Sequence, residues 1–253
     1  MDITLQELLK GKSTIIKNKE FFPTQHYVQP FIDKLAPLTD DFRFQVKIPD
    51  QMTISKDVTD LTYNRVLVQA VLPKKYTIDN HDEVVGFLYG IDVKKPVVKI
   101  YRGYLNQACT NLCVFNPTWL NVQELLPGEP INFAPIKSLL ESTSDFAVQL
   151  DKLKSTYIDR NARTQYLGEW VDYALRESQD YGFGRVKLAV STPIDAYKEL
   201  FINSDSDYFI PEGINPSMYD VYNSFTQIVT DGMKKDILNT FEKTILINRI
   251  LKI

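Results

Sequence analysis

The chain is poor in the side chains that carry metal and nucleophile chemistry: its 253 residues include two cysteines and two histidines. Two histidines leave little room for a His-rich metal site, and neither a metal nor a cofactor is expected. Cys109 and Cys113 have a Cys-x3-Cys spacing that matches neither a usual disulfide nor a zinc pattern. On an extended strand they would point to the same side, roughly 13 Å apart at ~3.3 Å per residue. They read as buried, reduced thiols, which suits a reducing, cytoplasmic setting. No run of roughly 18 apolar residues exists, so no membrane span is expected. The opening "MDITLQELLKGK" has no basic leader before an apolar run, so it does not read as a signal peptide. Lys+Arg (29) fall short of Asp+Glu (32), for a formal net charge of -3. A strongly basic nucleic-acid binder is therefore excluded, and only a local basic patch is left. No internal repeat or low-complexity tract is visible.

Two near-motifs also fail. "GKST", residues 11–14, resembles the tail of a phosphate-binding loop, but Gln6 stands where the motif needs its first glycine. "SDSD", residues 204–207, could open a calcium loop. Counted from Asp205, however, the sixth position is Ile210, not glycine, and the twelfth is Pro216, not a carboxylate.

What is present is ordinary globular composition, 44% apolar and 24% charged. The pattern predicts one α+β domain over 1–253: an N-terminal helix and irregular arm (1–41), a sheet-rich half (42–135) and a helical half (136–253). Strand signals run through "FRFQVKI" (42–48), "RVLVQAVL" (65–72), "EVVGFLYGI" (83–91), "VVKIYRGYL" (97–105) and "CTNLCVF" (109–115). Connections this short force antiparallel pairing, which predicts an antiparallel sheet over about 42–116. A proline-rich connector (116–135) leads to helices expected to cover one face of it. Thr192 is expected to cap a helix. Asn215 is expected to cap a long final one, with Tyr222, Phe225, Val229, Ile237, Phe241 and Ile245 on its stripe and a kink at Gly232.

The candidate chemistry lies in the sheet. His81 and Asp82 could supply a general base or two metal ligands, but neighbours on a strand point to opposite faces. Cys109 could be a nucleophile only with a base and an orienting group, and it sits in a strand-like run, not on a nucleophile turn. Both stretches also read as plain strand starts. Lys74, Lys75, Lys94, Lys95, Lys99 and Arg102 cluster at strand ends, interleaved with Tyr76, Tyr89, Tyr101 and Tyr104. Cations for phosphates beside rings for bases are what single-stranded nucleic acid needs. The same lysines could simply blunt strand edges.

"NHDE" (80–83), an apolar strand, then "ACTN" (108–111) and a later "YNSFTQIV" (222–229) together resemble the phage/plasmid-like protein family, an uncharacterised group carried on prophages, plasmids and phages. Cys109, Asn111, Asn223 and Thr226 stand in its motif positions. Glu83, Asn106 and Gln227 replace its glycine, arginine and glutamate. The resemblance implies work on mobile-element DNA or in a phage's dealings with its host, without an activity to carry over. The expectation is a phage or mobile-element accessory protein, in the host cytoplasm or a phage particle. It binds or anneals single-stranded DNA on its sheet, as a homo-oligomer, without catalysis. The alternatives are a phage structural or protein-interaction module facing a phage or host protein, which suits 14 Tyr and 14 Phe, and a hydrolase or nuclease. The amides of Asn111 and Asn223 are expected to tie the sheet to the C-terminal helix.

Overall fold

The computed structural model describes residues 2–8, 14–16, 19–21, 25–39, 41–48, 65–90, 96–107, 112–114, 117–142, 145–180, 185–233 and 237–252. Its centre is a seven-stranded sheet built from β1 (Asp2–Ile3), β4 (Arg43–Lys47), β5 (Arg65–Val71), β6 (His81–Gly90), β7 (Val97–Asn106), β8 (Leu112–Cys113) and β9 (Leu120–Glu124). All pairings are antiparallel. The order is β1-β4-β5-β6-β7, and β8 and β9 both line the outer edge of β7, at its two ends. Two small hairpins, β2–β3 (Thr14–Ile16 with Lys19–Phe21) and β10–β11 (Gln179–Asp180 with Arg185–Val186), stand apart from it. The helices are α1 (Leu5–Leu8), α2 (Gln25–Leu35), α3 (Pro135–Glu141), α4 (Phe146–Ser155), α5 (Arg163–Arg176), α6 (Ser191–Phe201), α7 (Met218–Met233) and α8 (Thr240–Ile250). The architecture is α+β, with an antiparallel sheet and helices concentrated in the C-terminal half.

The β-branched runs form the central strands because such side chains pack well on a pleated, buried surface. β6 and β7 pair over ten residues, from His81↔Asn106 to Gly90↔Val97. Every residue of both strands is buried, so the sheet is covered on two faces, not the one expected. The register sorts the side chains. His81, Glu83, Val85, Phe87 and Tyr89 share the first face with Asn106, Tyr104, Arg102, Ile100 and Val98. There Phe87 meets Phe31 of α2 and Phe133, with ring centroids 5.2 and 5.3 Å apart, while Phe146 of α4 stacks on Tyr104 at 3.8 Å. On the second face α8 closes the sheet, with Phe241 stacked on Tyr101 at 4.0 Å. Gly90 leaves room for the turn before α8, where a Cβ would lie 2.4 Å from Leu238 Cδ2, while a Cβ on Gly86 would lie 2.4 Å from the Val68 carbonyl oxygen of the neighbouring strand β5.

Four sequence expectations change here. β9 extends the sheet through the segment read as a connector. α6 starts at Ser191, so Thr192 lies inside its first turn instead of capping it. The long final helix is two, α7 and α8, although Tyr222, Phe225, Val229, Ile237, Phe241 and Ile245 are all buried as expected. Asn215 does not cap α7, because its Oδ1 accepts from the Arg160 backbone N–H. Ser217 and Asp220 do so instead. The Ser217 hydroxyl accepts from the Asp220 N–H, and the Asp220 carboxylate accepts from the Ser217 N–H and hydroxyl, a reciprocal capping box.

Candidate functional site

The site that sequence singled out begins at a tight turn. Ile78 and His81 exchange both backbone hydrogen bonds, at 2.9 and 2.8 Å. Between them Asp79 and Asn80 sit at φ 46° and 61°, the left-handed pair that a two-residue hairpin of this hand requires. Asp and Asn tolerate this region better than other L-residues. The turn places the Asp79 carbonyl 2.8 Å from His81 Nδ1. A carbonyl only accepts, so Nδ1 carries the hydrogen. In the neutral ring Nε2 is then an acceptor, and it faces the Tyr219 hydroxyl at 3.1 Å. That oxygen in turn accepts from Asn106 Nδ2 at 2.9 Å. Donation thus runs from Asn106 to Tyr219, from Tyr219 to His81, and from His81 to the Asp79 carbonyl, which accepts. Burial holds the imidazole below its ordinary 6.5, outweighing the Asp79 carbonyl that favours the charged form. Phe146 packs against the ring edge-on at 5.3 Å. Lys154 lies over the Tyr219 ring at 5.0 Å and pairs with the Asp79 carboxylate, which it holds below the usual carboxylate range.

This arrangement has the bonding order of a nucleophile, a base and an orienting group, and it can pass a proton between phenol and imidazole. Yet His81 is only 1% exposed, and both of its nitrogens are engaged within the protein. Asp82 points to the other face, as strand geometry demands. Its oxygens accept from Thr77 Oγ1 (2.9 Å), Gln107 Nε2 (2.8 Å) and Arg43 Nη2 (3.3 Å). His81 and Asp82 therefore form no joint site.

The basic and aromatic face is corrected most. Lys99 and Arg102 are each 4% exposed, and Tyr101 and Tyr104 not at all, because helices close both faces. Arg102 Nε lies 2.8 Å from Glu83 Oε1, and its Nη1 donates to the Leu139 and Ser142 carbonyls at the end of α3, 2.9 Å each. Burial raises the Glu83 carboxyl against the pull of Arg102. On the opposite face Lys99 donates to the Leu238 carbonyl and to Glu242 of α8. Tyr101 donates to Gln69 Oε1 at 2.5 Å, and Gln69 donates on to Gln45 at 2.8 Å. Tyr89 is buried and Tyr76 half-buried. Lys74 and Lys75 are exposed, on a short 3-10 turn (Lys74–Tyr76) between β5 and β6.

Lys94, Lys95, Cys109 and Asn111 lie outside the described residues. Cys113 is buried, as are Asn223 and Thr226 in α7, where the Thr226 hydroxyl donates to the Tyr222 and Asn223 carbonyls. Asn248 Nδ2 of α8 donates to the Val114 carbonyl, one residue past β8, at 2.9 Å. Sequence reasoning missed Tyr219 as the partner of His81, and Asn106 and Lys154 around it. No local pattern marks them, since Tyr219 is 138 positions away. Elsewhere, a cavity of about 390 Å³ opens between α5 and α8. Its rim charges pair with one another, Arg176 with Asp172 and Lys252 with Glu169.

Among the described residues no three His, Cys, Asp or Glu side chains gather into a metal-binding group, and no helix is long and apolar enough to cross a membrane. Compared with known proteins, the chain matches no family model, no curated protein and no solved structure.

Proposed function

We propose that the chain is a non-catalytic accessory protein of a phage or another mobile element, working through contacts with other macromolecules. The resemblance in "NHDE", "ACTN" and "YNSFTQIV" supports the mobile-element setting. The observation that carries the non-catalytic part is the environment of His81. The one imidazole in the central sheet is sealed under Phe146 and spends both nitrogens on internal partners. A base so placed orders the hairpin and the start of α7; it does not meet a substrate. The test is His81→Gln in the full chain, assayed for hydrolysis of single-stranded DNA with a divalent cation and for melting temperature. Wild type and variant without hydrolysis, and a lowered melting temperature in the variant, are expected. Wild-type hydrolysis that the variant loses at an unchanged melting temperature contradicts the reading.

Single-stranded nucleic acid is the second reading, moved from the sheet face to the strand end. Lys74 and Lys75 are exposed there, beside Arg43, whose side chain is 71% exposed and whose strand pairs Arg43 with Val71. Anisotropy of a labelled single strand at low and moderate salt tests it. Binding that weakens with salt and with Lys74→Glu/Lys75→Glu supports this contact. Affinity that is absent, or indifferent to both, contradicts it.

A further inference from the structure

The segment 202–217 inverts the usual partition of side chains. It contains no helix or strand element, yet its backbone is held at several points. Asn203 N–H donates to the Lys198 carbonyl, Phe209 to Ser206, Ile210 to Leu200 and Ile214 to Pro211, and Arg160 Nη1 donates to the Ile210 carbonyl. On this fixed frame Ile202 is 64% and Ile214 53% exposed. Tyr157, bridged to Ser217 at the loop's end, is 64% exposed. Two large apolar side chains of this hydrogen-bonded segment, with Tyr157 beside its end, are thus presented to water, which is what a contact surface with a low ordering cost looks like. The segment also carries Asp205, Asp207 and Glu212 and no lysine or arginine. Its partner must therefore offer cations beside apolar surface, which excludes nucleic acid.

The chain itself holds a surface of that chemistry. At the strand end Lys74 and Lys75 are exposed, as is Arg43, which also reaches Asp82 at 3.3 Å, and Lys75 Nζ lies 5.1 Å over the half-buried ring of Tyr76. We propose that the occupant of the 202–217 surface is a second copy of this chain, docked through its strand end, so that Ile202, Ile214 and Tyr157 meet Tyr76 while Asp205, Asp207 and Glu212 face Lys74, Lys75 and Arg43. The contact joins two different patches, so copies associate head to tail unless the rotation closes. This rests on the reading of the protein as one that works through macromolecular contacts.

The experiment is sedimentation velocity of the full chain across a concentration series at low and high salt. Three forms are compared: wild type, Ile202→Ser/Ile214→Ser, and Lys74→Glu/Lys75→Glu. Wild type should associate, and less so at high salt, where exposed charges are screened. Each double variant should weaken association about tenfold or more, the scale of a lost anchor. An equimolar mixture of the two variants should recover a heterodimer, because each keeps the patch the other lost. Tyr157→Ser gives an independent readout of the apolar patch should Ile202→Ser/Ile214→Ser melt below wild type. A wild-type monomer at every concentration overturns the proposal, as does association that either double variant leaves intact or that mixing fails to restore. A monomer leaves the non-catalytic reading standing, since His81→Gln judges that one. Loss of wild-type association on adding single-stranded DNA, with the loop variants binding DNA normally, is expected if both readings hold, because the two partners share Lys74 and Lys75. Association that DNA leaves unchanged while it binds the same lysines overturns the docking geometry.

Discussion

The central sheet and the segment 202–217 depart from the ordinary partition of side chains in opposite directions. The sheet buries what proteins usually expose: Lys99, Arg102, Glu83, His81 and Gln69. The segment exposes what they usually bury, Ile202 and Ile214. A buried charge is tolerated only when it is paired and hydrogen-bonded. Each one here is matched across elements, Arg102 to Glu83 and the end of α3, and Lys99 to Glu242 and the turn before α8. The lesson is that a residue's chemistry alone does not mark a site. In the sheet the polar groups fasten helices to strands, and in the segment the apolar groups are the ones left over for a partner.

The largest expected effect breaks the sheet side of this comparison. Glu242→Leu strands the Lys99 ammonium inside the second face and should cost about 3–5 kcal/mol, read as a fall in the denaturant midpoint. The double change Lys99→Met/Glu242→Leu should recover most of that loss, since the stranded charge is gone. If the single variant is as stable as wild type, Lys99 is solvated and the sheet is open.

The hairpin turn comes next. Asn80→Val places a β-branched residue at φ 61° and should cost about 1–2 kcal/mol, whereas Asn80→Gly should be close to neutral in the same melting experiment.

The pH dependence sharpens the account of His81. Its imidazole is held below 6.5 in the folded chain, chiefly by burial. The unfolded chain therefore takes up this proton first, and stability falls as pH drops below about 6.5 until the folded group titrates as well. Subtracting the His81→Gln stability curve from that of wild type should isolate a slope of that sign. A difference that is flat across this window contradicts the burial of a neutral ring.

The smallest effect is expected in the segment. Ile202→Ser and Ile214→Ser should each leave monomer stability within about 0.5 kcal/mol, because both side chains already stand in water. A loss of several kcal/mol would place them in the core and remove the contrast.

The strands from β4 to β8 were legible from their apolar, largely β-branched runs, and their short connections dictated antiparallel pairing. β1 was not, since it opens a stretch read as a helix, nor was β9, since "LNVQE" sits among prolines that mark a connector. The final helix reads as one because its apolar stripe continues at helical spacing from Val229 through Ile237 to Phe241, across the turn that precedes α8. The capping box at Ser217 and Asp220 is legible in "SMYD", but Asn215, a good cap residue two positions earlier, competes with it in the sequence. The fate of Lys99 and Arg102 was not legible at all. β7 places one cation on each face, as a solvated strand also would. The partner that shows Lys99 to be internal, Glu242, lies 143 positions away. Only the packing of α8 on the sheet joins them.

The most direct test of the closed sheet is amine labelling of the native protein followed by mass spectrometry. Lys74 and Lys75 should label quickly. Lys99 should stay protected until denaturant unfolds the chain. Native labelling of Lys99 as fast as that of Lys74 would mean an open, basic sheet face and would contradict the account.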